Sequence, residues 1–84
     1  MIMISGYKWV RKTSVRNVKG WTRYTLSKQG QPVIAYIDKS GSYKDYYAFV
    51  DCNPYNMLAH LLGRFKYLKD AKMEIERYYK MKKK

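Results

Sequence analysis

Acidic residues are scarce in this chain of 84 residues, and none occurs among its first 37 positions. The 18 Lys and Arg residues outnumber the 6 Asp and Glu residues, which gives a formal net charge of +12 with His neutral. A surface of this sign repels other basic surfaces and attracts polyanions. The imbalance therefore excludes an acidic protein that imitates DNA, and it favours a nucleic acid as the partner.

Cysteine, histidine and long apolar runs are also in short supply. The single cysteine, Cys52, has no partner for an internal disulfide, and the single histidine, His60, leaves no Cys/His cluster for zinc. No apolar run approaches the about 20 residues of a membrane-spanning helix, and polar residues follow Met1–Ile4 too soon for a signal peptide. We therefore expect a cytoplasmic protein that has no metal or other cofactor and does not contact a membrane.

Groupings that would support catalysis are missing as well. Glu74 and Glu76 are two residues apart on a predicted helix, so their side chains face different directions and make a poor acid–base pair. No residue is placed to orient the lone cysteine and histidine as a nucleophile and its base. Turn chemistry explains the aspartates at the ends of predicted strands, which are Asp38, Asp45 and Asp51. We expect no enzymatic activity.

The first half of the chain contains a series of short strands. Aromatic and β-branched side chains are concentrated, often with alternation, in residues 7–12, 21–27, 33–37 and 46–50. Short turns rich in Gly, Pro and Ser separate the last three of these, which indicates antiparallel neighbours. The pattern predicts an N-terminal tail over residues 1–6 and a meander within residues 7–51. Whether the first strand joins the sheet stays open.

The second half changes to helical spacing. Asn53 and Pro54 are typical of a helix start and Gly63 of a helix end, so a short helix is predicted over residues 54–62. A longer C-terminal helix is predicted over residues 67–81, because apolar residues recur on one face at Leu68, Ala71, Ile75 and Tyr78. Its outer face is expected to expose Lys69, Lys72, Glu76, Arg77 and Lys80.

These elements predict an α+β fold in one domain, residues 1–84. The sheet is an antiparallel meander of three to four strands, both helices pack on one of its faces, and residues 82–84 form a basic tail. The helix-side face is expected to carry Tyr24, Leu26, Val33, Ala35, Ile37, Tyr46, Ala48 and Val50, since small alanines let a helix approach closely. Alternation then gives the opposite face Trp21, Arg23, Thr25, Ile34, Tyr36, Tyr47 and Phe49.

The C-terminal pattern resembles that of a known group of proteins. Gly63-Arg64-Phe65 followed by Leu68-Lys69-Asp70-Ala71-Lys72, after a run of short strands, resembles small bacteriophage and prophage proteins over roughly residues 20–79. In those proteins this spacing opens a C-terminal helix packed on a sheet, although Tyr67 stands here where Thr or Ser is usual. The resemblance implies a viral protein in the cytoplasm of a host. The layout also resembles the AP2 and integrase arm-binding domains, whose exposed sheet face enters the major groove of DNA.

Basic and aromatic residues are interleaved along the chain, and nucleic acids need both kinds. Cations replace the counterions around phosphates, and flat rings stack on exposed bases. Phosphate contacts are predicted for Lys8, Arg11, Lys12, Arg16 and Lys19. Contacts to bases or groove walls are predicted for Trp21, Arg23, Tyr36 and Tyr47. The sequence therefore predicts a small non-enzymatic nucleic-acid-binding protein, with DNA favoured over RNA.

Two other functions fit the same composition. Tyr, Trp and Arg are enriched at the hot spots of protein interfaces, so the alternative is a phage-encoded effector that binds and inhibits a host protein. A subunit of a ribonucleoprotein is a third possibility. The strand with Tyr47 and Phe49 is a candidate sheet edge, and because edges pair, the protein is expected to be a monomer or a weak homodimer.

Overall fold

A five-stranded antiparallel sheet and one C-terminal helix form the fold in this computed structural model, which describes residues 6–13, 20–42, 44–56 and 58–82. The strands are β1 (Tyr7–Thr13), β2 (Trp21–Lys28), β3 (Ala35–Ser40), β4 (Tyr46–Val50) and β5 (His60–Phe65), and the helix is α1 (Leu68–Lys82). Each strand pairs with the next one along the chain, so the sheet order is the chain order. The predicted α+β class and the antiparallel meander are confirmed.

The sheet has more strands than the three to four that the sequence predicts. The first strand joins it fully, because β1 pairs with β2 from Tyr7 opposite Lys28 to Thr13 opposite Thr22. At the other end, β5 adds a strand in a region predicted to be helical. The edges are thus β1 and β5, while β4 lies between two partners. The expectation that β4 is an edge is wrong, and the homodimer argued from it loses its basis.

The short helix predicted over residues 54–62 does not form. The Asn53 side-chain oxygen accepts a hydrogen bond from the Tyr55 backbone N–H at 2.8 Å, and the Asn56 oxygen accepts one from the Leu58 N–H at 3.0 Å. The Asn53 N–H donates to the Leu58 carbonyl at 2.8 Å and closes the loop. Asparagine oxygens bond to a backbone N–H two residues on both in turns and at helix starts. The residue that looked like a helix cap therefore begins a turn.

Strand β5 includes the glycine that looked like a helix end. Gly63 lies opposite Ala48 within the sheet, and a Cβ at this position would lie 3.4 Å from the ring of Phe65. Because Gly63 has no side chain, the Phe65 ring can lie over the backbone of β5 at this position. The leucines of the predicted helical stripe are not all buried, since Leu58 and Leu61 are 69% and 55% exposed.

The core lies between the sheet and α1, which crosses β3, β4 and β5. The helix contributes Ala71 and Ile75, and the sheet contributes Leu26, Ala35, Ile37, Ala48 and Val50. Alanines on both layers let the helix approach the sheet closely, as the sequence predicts. Ile34 is an exception, because it packs against this core although strand alternation assigns it to the other face. It precedes the first residue of β3, so the alternation does not extend to it.

Glu76 is buried rather than exposed on the outer face of α1. It is 4% exposed, and its Oε2 accepts a hydrogen bond from the Trp9 indole N–H at 3.0 Å. The Lys72 ammonium lies 5.7 Å from the centre of the Trp9 ring. The prediction for Glu76 is therefore wrong, because β1 brings Trp9 to the side of the helix. This contact fastens the edge strand to α1.

Tyr79 joins the C-terminal half of α1 to the segments around β3 and β4. Its hydroxyl accepts a hydrogen bond from the Asp51 backbone N–H at 2.7 Å and donates to the Ile34 carbonyl at 2.8 Å. The neighbouring Tyr78 hydroxyl donates to the Asp51 carboxylate at 2.5 Å. Asp51 has a φ of 55°, in the left-handed region, and the two tyrosines hold it there. Burial raises the pKa of Tyr79 to about 12.

The Tyr79→Phe variant should have a free energy of unfolding about 1–3 kcal/mol below that of the wild type, because it loses the two hydrogen bonds that the hydroxyl makes with the Asp51 N–H and the Ile34 carbonyl. The loss should depend on pH. The pKa of the phenol is near 10 unfolded and about 12 folded, so its contribution is complete below pH 10 and declines as the pH rises toward 12. Urea denaturation of both proteins between about pH 8 and pH 11.5 measures the difference.

The difference in stability between wild type and Tyr79→Phe should narrow at the alkaline end of that range. Tyr55→Phe is the matched control, since Tyr55 is 95% exposed. Its free energy of unfolding should equal that of the wild type throughout this pH range. A difference that stays constant across the range would contradict the role given to the buried phenol.

No helix in the described ranges is long and apolar enough to cross a bilayer.

Candidate functional site

The sheet face opposite α1 is referred to here as the open face, and strand pairing arranges its side chains in two rows. The apolar row is Val10, Thr25, Tyr36, Phe49 and Leu61. The charged row is Lys12, Arg23, Asp38, Tyr47 and Arg64. A bulge in β5 opposite the Ala48/Phe49 step lets Leu61 and Arg64 share this face although they are three residues apart.

Exposed cations stand at both edges of the charged row. Lys12 lies on β1 and Arg64 on β5, and both are exposed. Because neighbouring strands are about 4.8 Å apart, the two edge strands are about 19 Å apart. Lys8 adds a third exposed cation on β1, two positions before Val10 on the same face. A polyanion that crosses the sheet would meet positive charge on either side.

A bidentate ion pair lies at the centre of the charged row. Arg23 Nε donates to Asp38 Oδ1 at 2.7 Å, and its terminal nitrogen donates to Oδ2 at 3.0 Å. Arg23 is only 8% exposed. The hydrogen bonds to Asp38 raise the pKa of the Arg23 guanidinium above its ordinary value, so it stays charged. The pair neutralises itself and fixes the direction of both side chains.

Tyr36 supports this pair from within the sheet face. Its ring centre lies 4.3 Å from the guanidinium carbon of Arg23 and 4.9 Å from the ring centre of Phe49, with which it stacks. Only 7% of Tyr36 is exposed. A base has little ring surface to stack on here, so the residue acts as a support for its neighbours.

A hollow of about 320 Å³ opens on this face between the charged row and the end of β3. Its walls are Trp21, Asp38, Ser40, Tyr47 and Phe49, which combine three aromatic side chains with one carboxylate and the hydroxyls of Ser40 and Tyr47. Small-molecule sites are commonly about 300–1,000 Å³, so this open-face hollow suits one small planar group.

Trp21 has an unmet hydrogen-bonding capacity. Its indole nitrogen is buried and has no acceptor among the described residues. Burying a donor without a partner costs about 1–3 kcal/mol.

The structure separates the nine residues predicted to bind nucleic acid. Those on the open face are Lys8, Lys12, Trp21, Arg23, Tyr36 and Tyr47. Arg11 belongs to the helix-side face, because it pairs with Tyr24. Arg16 and Lys19 lie outside the described residues. The expectation that Arg23 and Tyr36 are exposed is wrong, because each covers the other.

The predicted binding set lacks Asp38, Ser40 and Phe49 in the wall of the hollow and Arg64 at the sheet edge. Asp38 was assigned to a turn, although its spacing of two from Tyr36 places it on the same strand face. Arg64 directly follows the predicted helix end at Gly63, so the sequence pattern does not place it in the sheet. The run of β-compatible residues after His60 is the signal that could have indicated a strand there.

The lone cysteine and histidine lie in different environments. Cys52 is buried in the segment after β4, and burial raises the pKa of its thiol, which makes it a weak nucleophile. His60 is exposed at the start of β5. Among the residues described, no group of three or more His, Cys, Asp or Glu side chains could hold a metal ion.

Known proteins give no family for this arrangement. Comparison with protein-family models, with curated proteins and with solved structures finds no match to this chain. The resemblance to small bacteriophage and prophage proteins therefore stays a prediction, based on the residues around Gly63 and Leu68 alone.

Proposed function

We propose that the protein binds single-stranded nucleic acid across the open face. Bases lie against Trp21 and Tyr47 at the open-face hollow, and phosphates contact Lys12 and Arg64 at its two sides. The observation that carries the proposal is this combination of an aromatic hollow with cations at both sheet edges, in a chain of net charge +12. Stacking on an aromatic side chain contributes about 1–3 kcal/mol per base, and neutralised phosphates add the electrostatic part.

The geometry favours a single strand over a duplex. The major groove is about 12 Å wide and admits a helix or a two-stranded ribbon, whereas the five strands of this face extend about 19 Å. The arginine that could read a guanine in that groove, Arg23, is buried and directs two of its donors at Asp38. Bases of a single strand are unpaired, so they can reach a flat surface and stack on it.

The preference for DNA over RNA stays a prediction. RNA differs by its 2′-hydroxyl, which a protein reads by a hydrogen bond at a particular place. Titration of labelled single-stranded DNA, single-stranded RNA and duplex DNA measures both preferences in one series. Tighter binding of the duplex at about 150 mM salt would overturn the single-strand proposal and favour the groove-binding mode implied by the AP2 resemblance.

Reversing the two edge charges provides the direct test. The double variant Lys12→Glu/Arg64→Glu should bind oligo-dT at least about tenfold more weakly at about 150 mM salt. Each lost phosphate contact on a single strand removes about 0.7 from the log–log salt slope, so the slope should become shallower by about 1.4. Fluorescence anisotropy at several salt concentrations measures both quantities.

The matched control is Lys69→Glu/Lys80→Glu, which makes the same change in net charge at exposed positions of α1. This pair lies on the other side of the sheet and should lose far less affinity. Equal losses in the two double variants would show that the total charge, and not the open face, attracts the oligonucleotide. An unchanged affinity in Lys12→Glu/Arg64→Glu would remove the open face from the binding site.

One observation favours the alternative of an effector that binds a host protein. The apolar row ends in two exposed aliphatic residues, Val10 at 46% and Leu61 at 55%. Exposed apolar surface of this kind suits a protein interface. Pull-down after nuclease treatment separates the two functions, because a direct protein partner survives the nuclease and a nucleic-acid-mediated one is lost.

A further inference from the structure

We propose that the bound strand continues past Lys12, turns round the β1 edge of the sheet and places a further phosphate between Arg11 and Lys72 on the helix side. This inference rests on the proposed function and extends the same site onto a second surface, referred to here as the α1–β1 corner. Its residues are Trp9, Arg11, Tyr24 and Lys72. The site then extends beyond the width of the open face.

The helix covers only part of its side of the sheet, because its contacts are concentrated on β3, β4 and β5. Toward β1 the connection is made by side chains. The Glu76 carboxylate accepts the hydrogen bond from the Trp9 indole N–H. The Lys72 ammonium lies 5.7 Å from the ring centre of Trp9 and 5.6 Å from that of Tyr24. The helix-side surface of β1 and β2 is therefore bordered by α1 and not covered by its backbone.

Two cations from different elements meet at this corner. Arg11 is exposed and lies opposite Tyr24 on the helix side of the sheet. The Cβ atoms of directly opposed residues are about 5 Å apart, so Arg11 emerges beside the ring that Lys72 approaches from α1. Neither Arg11 nor Lys72 forms an ion pair with another described residue. Both charges are thus available to a phosphate.

The acidic side chains of α1 are either buried beside this corner or directed away from it. Glu76 is 4% exposed and is bonded to Trp9, so the surface presents the cations rather than this carboxylate. Asp70 and Glu74 are each two residues from Lys72, which is about 200° around an α-helix, so they lie on the flank away from β1. A strand that turned round the β5 edge would meet those two carboxylates. The charge distribution therefore favours the β1 edge.

The edge between the two faces supplies backbone donors. The Leu26 carbonyl accepts a hydrogen bond from the Ile34 N–H at 3.0 Å, so Leu26 directs its backbone groups toward β3. Trp9 lies opposite Leu26, and because backbone directions alternate along an antiparallel strand, the N–H groups of Trp9 and Arg11 point away from β2. Backbone N–H groups commonly donate to phosphate oxygens. A strand that passes from Lys12 to Arg11 therefore meets donors on both faces and at the edge between them.

The test combines strand length with one double variant. Oligo-dT strands of about 4 and about 12 nucleotides are compared, both within the usual range of site sizes for single-strand binders. Arg11→Gln/Lys72→Gln should bind the longer strand at least about threefold more weakly at about 150 mM salt, and its log–log salt slope should be shallower by about 0.7, the value for one phosphate. Its affinity for the shorter strand should equal that of the wild type, because the open face alone accommodates that strand.

The matched control is Lys66→Gln/Lys80→Gln, which removes the same charge at exposed positions outside the corner. Lys66 follows β5, and Lys80 lies in the last turn of α1. This control should keep the wild-type affinity for the longer strand more fully than the corner variant does. Arg11→Gln alone changes only an exposed edge residue, so it repeats the test without altering α1. Equal losses in the corner variant and the control would overturn the inference.

The two tryptophans report on the two surfaces separately, since Trp9 belongs to the α1–β1 corner and Trp21 to the open-face hollow. In a ¹H–¹⁵N spectrum the Trp21 indole signal should shift with both strands, whereas the Trp9 signal should shift only with the longer one. A Trp9 signal that the longer strand leaves unmoved would overturn the path round β1 and leave the proposed function standing. Absence of binding to both strands would overturn the proposed function itself.

Discussion

Asp38→Ala should lower the free energy of unfolding by about 3–5 kcal/mol, because it leaves the buried guanidinium of Arg23 without its partner. Arg23 is 8% exposed and directs two hydrogen bonds at this one carboxylate. A domain of this length is typically stable by roughly 4–13 kcal/mol in total. The substitution therefore removes a large share of the stability, and urea denaturation followed by circular dichroism measures it.

The double variant Arg23→Met/Asp38→Leu separates an unpaired charge from a lost contact. Replacing both partners of a buried pair by apolar side chains is often close to neutral, so this variant should be markedly more stable than Asp38→Ala. Asp45→Ala is the control, since Asp45 is half-buried in the turn before β4 and makes no ion pair with another described residue. If Asp38→Ala and the double variant unfold at the same urea concentration, the stability lost in Asp38→Ala does not come from the unpaired guanidinium of Arg23.

The local parts of the fold are predictable from the sequence. Four of the five strands and the long helix follow from β-propensity and from the spacing of Leu68, Ala71 and Ile75, and the helix begins at Leu68, within one residue of the prediction. The helix-side face follows from alternation, because Ala35 and Ala48 permit close approach. Each of these predictions depends only on residues near one another in the chain.

The elements that depend on distant contacts were missed. Asn53 is a suitable residue for both a helix start and a turn, and its own sequence neighbourhood does not decide between them. The turn is favoured here because the residues after it pair with β4. Glu76 similarly fits an exposed helix face by spacing alone, and only the path of β1 brings Trp9 to it.

The candidate site was predicted as a surface but not as a set of residues. Alternation correctly places Trp21 and Tyr47 opposite the helix. The role of basic and aromatic side chains in binding stays a prediction. Which of the rings is accessible depends on the pairing of β2 with β3. That register sets Arg23 opposite Asp38 and lets its guanidinium cover Tyr36.

Tyr36 and Tyr47 look alike in the sequence, and the structure predicts opposite effects when each is replaced by alanine. Tyr36→Ala should lower the free energy of unfolding by about 3–5 kcal/mol, as expected for a buried aromatic ring that packs on Phe49 and carries Arg23. Tyr47 is half-buried in the wall of the open-face hollow, so Tyr47→Ala should cost less stability. It should weaken binding of single strands about 5- to 100-fold, the loss of one stacking contact.

Both quantities are measured on both variants, the stability by urea denaturation and the affinity by fluorescence anisotropy with oligo-dT. The comparison tests whether Tyr36 only packs within the protein while Tyr47 contacts the bases. Removing a ring that only packs lowers the measured affinity solely because fewer molecules are folded. At a temperature where Tyr36→Ala is still largely folded, its affinity per folded molecule should fall less than that of Tyr47→Ala. The reverse order would make Tyr36 the contact residue. The ring would then have to leave Arg23 and Phe49 when nucleic acid binds, and the resting structure would be a closed form of the site.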